Sequence, residues 1–189
     1  MYITTKVQRA GQVALIAGLF CLSQTVFAGQ YGFGVSATAA EIAAIDIDVM
    51  PDGRGAPPGE GTYEQGKADY MSQCAGCHGV DPSKPTKGTG AAALLGGRGS
   101  LTSGKPKKTV ESYWPYASTF FDYVYRAMPF NSPGSLSPNQ VYSITAYILG
   151  EAGITDKGAT MNASALAAVR MPNRDGFIAD PRPDVFNYD

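Results

Sequence analysis

Two thiols separated by two small residues and followed at once by an imidazole, Cys74-Ala75-Gly76-Cys77-His78, constrain this 189-residue chain more than any other feature in it. A turn with two intervening residues sets the sulfurs about one porphyrin vinyl separation apart, and the next side chain then points at the iron from below. The stretch therefore reads as a covalent haem attachment site with His78 as one axial ligand. Ala75 and Gly76 suit a backbone pressed against a flat ring, since neither side chain lifts it away. A Cys-x-x-Cys pair can also be a redox dithiol, which belongs at a strand-to-helix junction, or half of a zinc site, which needs two further ligands. Cys21 is the only other cysteine and His78 the sole histidine, so the sequence has no material for a zinc site.

Residues 1–28 read as an export leader. Lys6 and Arg9 form a basic start, residues 13–22 an apolar centre, and Val26-Phe27-Ala28 a small-residue cleavage pattern. The centre is shorter than the roughly 20 residues that span a bilayer, so cleavage near Ala28 without a retained anchor is expected. Cys21 leaves with the leader, and a lipoprotein signal is disfavoured by Leu19-Phe20 before it. Export fits the motif, because haem of this kind is attached outside the bacterial cytoplasm, and it places the mature chain in the periplasm. Cleavage takes away two of the 15 basic residues and none of the 16 acidic ones, moving the net charge from −1 to −3. That balance offers nothing to nucleic acid. The charge is uneven, however: Lys84, Lys87, Arg98, Lys105, Lys107 and Lys108 follow the motif against Asp81 alone, and acidic residues dominate before Gly66. The asymmetry reads either as a steering field for a redox partner or as ordinary solvated loops.

The chain divides into the leader 1–28, an irregular Gly/Pro-rich arm 29–61, a helical domain 62–153 and an extended tail 154–189. Within the arm, Ile42, Ile45, Ile47 and Val49 allow one short piece of regular structure. Thr62 is placed to cap a helix over 63–73 that runs into the motif. Gly66 inside it costs about 1 kcal/mol relative to alanine, which close crossing by another helix would explain. A glycine-rich loop occupies 79–108. Tyr116, Phe120, Val124 and Met128 recur every fourth residue and predict a helix over 115–127, with Pro115 in its first turn. Ser137-Pro138-Asn139-Gln140 is a capping box with proline at the first helical position, and Val141, Ile144, Tyr147 and Ile148 give that helix its apolar face up to Gly150 or Gly153. No strand pattern stands out. The tail has one short helical candidate over 164–169, and its Phe177, Phe186 and Tyr188 argue that it wraps its own domain or clasps a partner, since free linkers are aromatic-poor.

With no second histidine, a closed iron site needs a methionine, and Met50, Met71, Met128, Met161 and Met171 are the candidates beyond Met1. Met71 lies too close to His78 in the same helix, and Met161 and Met171 sit on the tail. Met128 ends an aromatic helix and is followed by Pro129, which stops the helix, so it is preferred. Its alternative is a core methionine completing the stripe. A thioether opposite an imidazole raises the reduction potential, which suits accepting electrons and passing them on. Arg98, set among Gly96, Gly97 and Gly99, reads either as a propionate contact or as a surface arginine. Tyr113 and Trp114 read as packing groups ahead of a propionate role.

Helix, Cys-x-x-Cys-His, glycine-rich loop, Met-Pro and closing helix in that order resemble a class I cytochrome c domain, an all-α fold of three to four short helices around one covalent haem c. A narrower resemblance rests on Gly96-Gly97-Arg98-Gly99-Ser100-Leu101, Thr109-Val110-Glu111-Ser112-Tyr113-Trp114-Pro115-Tyr116-Ala117, Arg126-Ala127-Met128-Pro129-Phe130, Val141-Tyr142-Ser143-Ile144-Thr145-Ala146-Tyr147-Ile148-Leu149 and Met171-Pro172-Asn173-Arg174-Asp175-Gly176-Phe177. These segments are similar to the cytochrome subunit of periplasmic sulfite dehydrogenases and of the sulfur dehydrogenase of the thiosulfate-oxidising system. That resemblance implies Cys74 and Cys77 as the haem thioethers, His78 and Met128 as the axial ligands, a molybdopterin-containing dehydrogenase subunit as electron donor and a soluble cytochrome c as acceptor. One haem motif here, against two haems in the sulfur dehydrogenase subunit, favours the sulfite type. Such a subunit is an electron-transfer part of an oxidoreductase and performs no bond chemistry alone. Two other functions are kept in view: a free shuttle for an alcohol or other dehydrogenase, and a haem enzyme or sensor whose Met128 leaves the iron.

Overall fold

The computed structural model describes residues 34–178 and Asp180, so the leader, Cys21, Phe186 and Tyr188 lie outside the described residues. The chain falls into two units, one ending at Ala43 and the other beginning at Ala44. Helix α1 (Ala39–Ile45) is capped by Thr38 and Glu41, which exchange hydrogen bonds, and it buries none of its residues.

The second unit is helical, as the resemblance to class I cytochrome c implies. Helix α2 (Tyr63–Gln73) opens with the expected cap, and here it is a full capping box: Thr62 accepts from the Gln65 N–H while the Gln65 side chain accepts from the Thr62 N–H. A one-turn helix α3 (Ala75–His78) follows through Cys74. Helix α4 (Ala117–Ala127) comes next, then α5 (Pro138–Glu151), which starts with the capping box of Ser137 and Gln140 and has Gly153 at φ +62° just past its end. In the tail, Asn162 caps α6 (Ala163–Ala168).

Two departures from the sequence reading have local causes. Helix α4 begins at Ala117 rather than Pro115, because Tyr116 is extended (φ −135°, ψ 135°) with its ring under the Arg174 guanidinium at 4.2 Å. A two-stranded antiparallel pairing also exists, with β1 (Glu60–Gly61) joined to β2 (Met161–Asn162). Strands of two residues are too short to show a period of two, so no sequence pattern could announce them.

The core is the crossing of α2 with α5. An ideal Cβ on Gly66 would sit 1.8 Å from the Ser143 carbonyl oxygen and 2.8 Å from Tyr147 Cβ, so only a glycine allows the approach. Tyr63 and Tyr70 flank it, with rings 5.3 and 5.1 Å from that of Tyr147. Helix α4 joins from the side through Phe121, whose ring lies 4.5 Å from that of Tyr142.

Residues outside 62–153 complete this core. Val49, Met161, Leu166 and Met171 are all buried in it, and the Tyr142 hydroxyl donates to the Pro57 carbonyl. As far as Phe177 the tail lies on its own domain: Asn173 donates to the Tyr113 carbonyl, and the Phe177 ring meets Tyr113 edge-on at 5.2 Å. No helix among the described residues is long and apolar enough to cross a membrane.

Candidate metal centre

The motif is positioned by the C-terminal end of α2. The Cys74 N–H closes that helix on the Tyr70 carbonyl, and the Cys77 and His78 N–H groups both turn back onto the Cys74 carbonyl at 3.1 and 2.9 Å. This compact turn puts the two thiols on one short helix with His78 at its end. Gly79 then takes φ +82°, where a Cβ would strike the Lys84 carbonyl at 2.0 Å. The turn after the motif is therefore closed by a residue that only glycine fills without strain.

The loop beyond packs back onto the motif. Thr86 N–H and Thr89 Oγ both donate to the Cys77 carbonyl, at 3.0 and 3.2 Å. From beneath, the buried Tyr70 hydroxyl donates to the Gly79 carbonyl at 2.7 Å. Burial pushes that phenol well above its usual pKa, so it remains a donor at any ordinary pH.

His78 carries the informative bond. Its Nδ1 lies 2.9 Å from the Ala92 carbonyl oxygen, which can only accept. Nδ1 must therefore hold a ring proton, which leaves Nε2 as the nitrogen that can offer a lone pair to a metal. A backbone carbonyl that fixes the tautomer in this way is the usual support of a metal-ligating histidine. The thiols are consistent with this. Burial, with smaller contributions from Asp69 and Cys77, pushes the Cys74 thiol up to about 11. Neither cysteine is in a disulfide, and among the described residues no three His, Cys, Asp or Glu side chains are set to share an ion. The residues present thus fit a covalent haem: Cys74 and Cys77 would hold its vinyl edge and His78 Nε2 its iron.

Burial separates the methionine candidates. Met161 and Met171, 3 % and 2 % exposed, are consumed by the core, whereas Met50 and Met71 stand 45 % and 43 % exposed. Met128 is half-buried against the core at the C-cap of α4, extended (φ −121°, ψ 151°) and with its N–H still bonded to the Val124 carbonyl. It leaves the helix at a side of the core that offers it neither full burial nor free solvent, so it remains the candidate for the distal position.

Arg98 has partners that the sequence did not offer. Its Nε pairs with Glu111 at 2.8 Å and its Nη2 donates to the Ala152 carbonyl just past α5, where unpaired carbonyls attract a cation. Glu111 also accepts from the Gly96 N–H. The glycine loop is tied to α5 through this pair. Trp114 packs, with its ring edge-on to Phe120 at 6.1 Å and to Tyr123 at 5.8 Å. Sequence reasoning missed Tyr70 and the Ala92 carbonyl as supports, since nothing local marks a tyrosine or an alanine for such a role.

No curated protein sequence matches this chain. Residues 61–148 match the family described as cytochrome C oxidase, cbb3-type, subunit III. Among solved structures, a chain of the sulfane dehydrogenase SoxCD from Paracoccus pantotrophus is similar at 40 % identity and a TM-score of 0.73, over 82 % of this chain and 74 % of that one. That match extends well outside the cytochrome segment. An oriented imidazole after paired free thiols, on this fold and with this likeness, makes the chain a member of the cytochrome c family, carrying covalently bound haem c and related to a chain of that sulfane dehydrogenase.

Proposed function

We propose that the mature chain is the haem-bearing electron-transfer subunit of a periplasmic, molybdenum-dependent dehydrogenase acting on sulfite or a related sulfur compound. Cys74 and Cys77 hold the haem as thioethers, His78 and Met128 ligate the iron, and a soluble cytochrome c is the acceptor. The supporting observation is the 40 % identity over most of both chains to a chain of a sulfane dehydrogenase. A generic cytochrome domain would match only the haem-binding segment.

Bound haem c supplies a one-electron iron couple. Oxidation of sulfite to sulfate releases two electrons and that of more reduced sulfur releases more, so each substrate turnover would send its electrons through this chain one at a time. What the protein contributes is placement. Tyr70, Thr86, Thr89 and the Ala92 carbonyl hold the motif rigid, so that little reorganisation accompanies each electron. With His78 and Met128 both holding the iron, no position on it would be open to substrate, and the sulfur chemistry would fall to the partner subunit.

The test is co-purification from periplasmic extract, with metal analysis of what elutes beside the haem. A stable complex containing molybdenum and reducing this chain upon addition of a sulfur substrate is expected. A haem protein that runs as a monomer and is reduced by an alcohol-oxidising extract but not by sulfite or thiosulfate would replace this reading with that of a free shuttle.

A further inference from the structure

Residues 48–51 lie along α4 and meet it at three points one helical turn apart. Arg126 Nε is 3.3 Å from Asp48 Oδ1, the Val49 N–H donates to Asp122 Oδ1 at 2.9 Å, and the Ser118 hydroxyl donates to the Pro51 carbonyl at 2.9 Å. Ser118, Asp122 and Arg126 are related as i, i+4 and i+8, so they form one polar stripe, and the segment runs along it in the opposite direction. Immediately beyond, the turn at Gly53 packs on α6, where an added Cβ would stand 2.9 Å from that of Ala167.

Asp122 is the centre of this contact. It is the one charged side chain among the buried described residues, and Arg126 clasps both its oxygens, Nε on Oδ1 at 2.8 Å and Nη2 on Oδ2. A buried carboxylate is costly unless its acceptors are filled; Arg126, one turn on in the same helix, fills part of that need wherever α4 lies, and the rest is met only where α4 is seated with Asp122 on the Val49 N–H. Helix α4 continues unbroken from Asp122 to its C-cap at Met128, whose N–H stays bonded to Val124 at 3.2 Å. A rigid helix passes any axial slip at Asp122 on to the Met128 sulfur, at 1.5 Å per residue of register. A metal–ligand bond tolerates only about 0.2 Å.

We propose that residues 48–51 are a strap that sets the seat of α4, with Asp122 as the positioning residue that holds the Met128 thioether at the iron. The inference rests on Met128 as distal ligand and is independent of the partner enzyme. Arm and axial ligand, about 80 residues apart in sequence, thereby form one mechanical unit.

The experiment uses the full chain made in a host that attaches haem, studied well below its melting temperature. Three readouts are taken: haem retained after acid-acetone extraction, the absorption band of ligated methionine sulfur in the oxidised protein, and carbon monoxide affinity of the reduced protein. Asp122→Ala is expected to keep its haem, weaken the band and bind carbon monoxide at least tenfold more tightly than the parent. Asp122→Asn, which retains an acceptor for the Val49 N–H but loses the ionic clasp, is expected to fall between them, and it carries the test if the alanine variant does not accumulate. A lowered melting temperature with band and affinity both unchanged would reduce Asp122 to an ordinary stabilising residue and overturn the proposal. Met128→Ala separates the two assumptions. If it stays closed to carbon monoxide, the ligand assignment is at fault; if it opens and the Asp122 variants do not, the strap is.

Discussion

Gly66→Ala tests the crossing that holds the motif in place. The new methyl would lie 1.8 Å from the Ser143 carbonyl oxygen, 2.4 Å from its carbon and 2.8 Å from Tyr147 Cβ, against about 3.4 Å for an ordinary contact. The first two obstacles are backbone, so no rotamer change relieves them, and α2 and α5 must separate by roughly 1.5 Å at a crossing where helix axes normally lie about 8–10 Å apart. Overpacking of this kind costs about 1–3 kcal/mol, and the geometry puts this case at the upper end. Alanine returns about 1 kcal/mol of helix propensity. The balance is a loss of about 2 kcal/mol, or roughly 4–8 °C in melting temperature for a domain of this size. Separation also pulls the Tyr147 ring away from Tyr63 and Tyr70, the latter being the donor to the Gly79 carbonyl behind His78. Thermal melts of the haem-loaded variant against the parent, with Gly104→Ala as control because nothing lies within 4 Å of its added methyl, measure the effect. A Gly66→Ala protein that melts at or above the parent would refute the argument from helix contact.

Three other expectations are simple to check. Met128→Ala should leave the haem covalently bound while opening the iron to imidazole or carbon monoxide; a six-coordinate, ligand-resistant spectrum would mean that another sulfur is used. Thr145→Val should raise stability by about 1 kcal/mol, because the fully buried Thr145 hydroxyl has no hydrogen-bond partner among the described residues and its replacement by a methyl removes an unmet desolvation cost; denaturant unfolding that shows a loss would contradict this. Glu151 is held below the usual carboxylate range by Lys157 and then by the Tyr63 hydroxyl. Because the folded value is the lower one, this stabilisation is complete above the unfolded glutamate value of about 4.3 and fades as pH falls through the folded value. Glu151→Gln should therefore lower the melting temperature more at pH 7 than in acid, with equal losses at both counting against the linkage.

How far each feature could be read in advance follows from the range of the interaction behind it. Thr62 with Gln65 and Ser137 with Gln140 cap their helices within four residues, so the starts of α2 and α5 are written in adjacent letters. The Cys74, Cys77 and His78 turn is equally local, and the cost of Gly66 in a helix was itself the sign of a crossing. Pro115 misled, because the stacking of Arg174 on Tyr116 acts across some 60 residues and holds the chain extended where local preference would begin a helix.

The sequence by itself determined the covalent haem chemistry, the helical framework and the short list of sulfurs, because covalent spacing and capping are properties of neighbours along the chain. Only the tertiary structure decided that Met161 and Met171 belong to the core, that Arg98 pairs with Glu111, that Ala92 fixes the tautomer of His78, and that Asp48, Val49 and Pro51 lie on α4. Each of those depends on which distant groups are brought out of water together, and burial is set by the whole fold rather than by any segment of it.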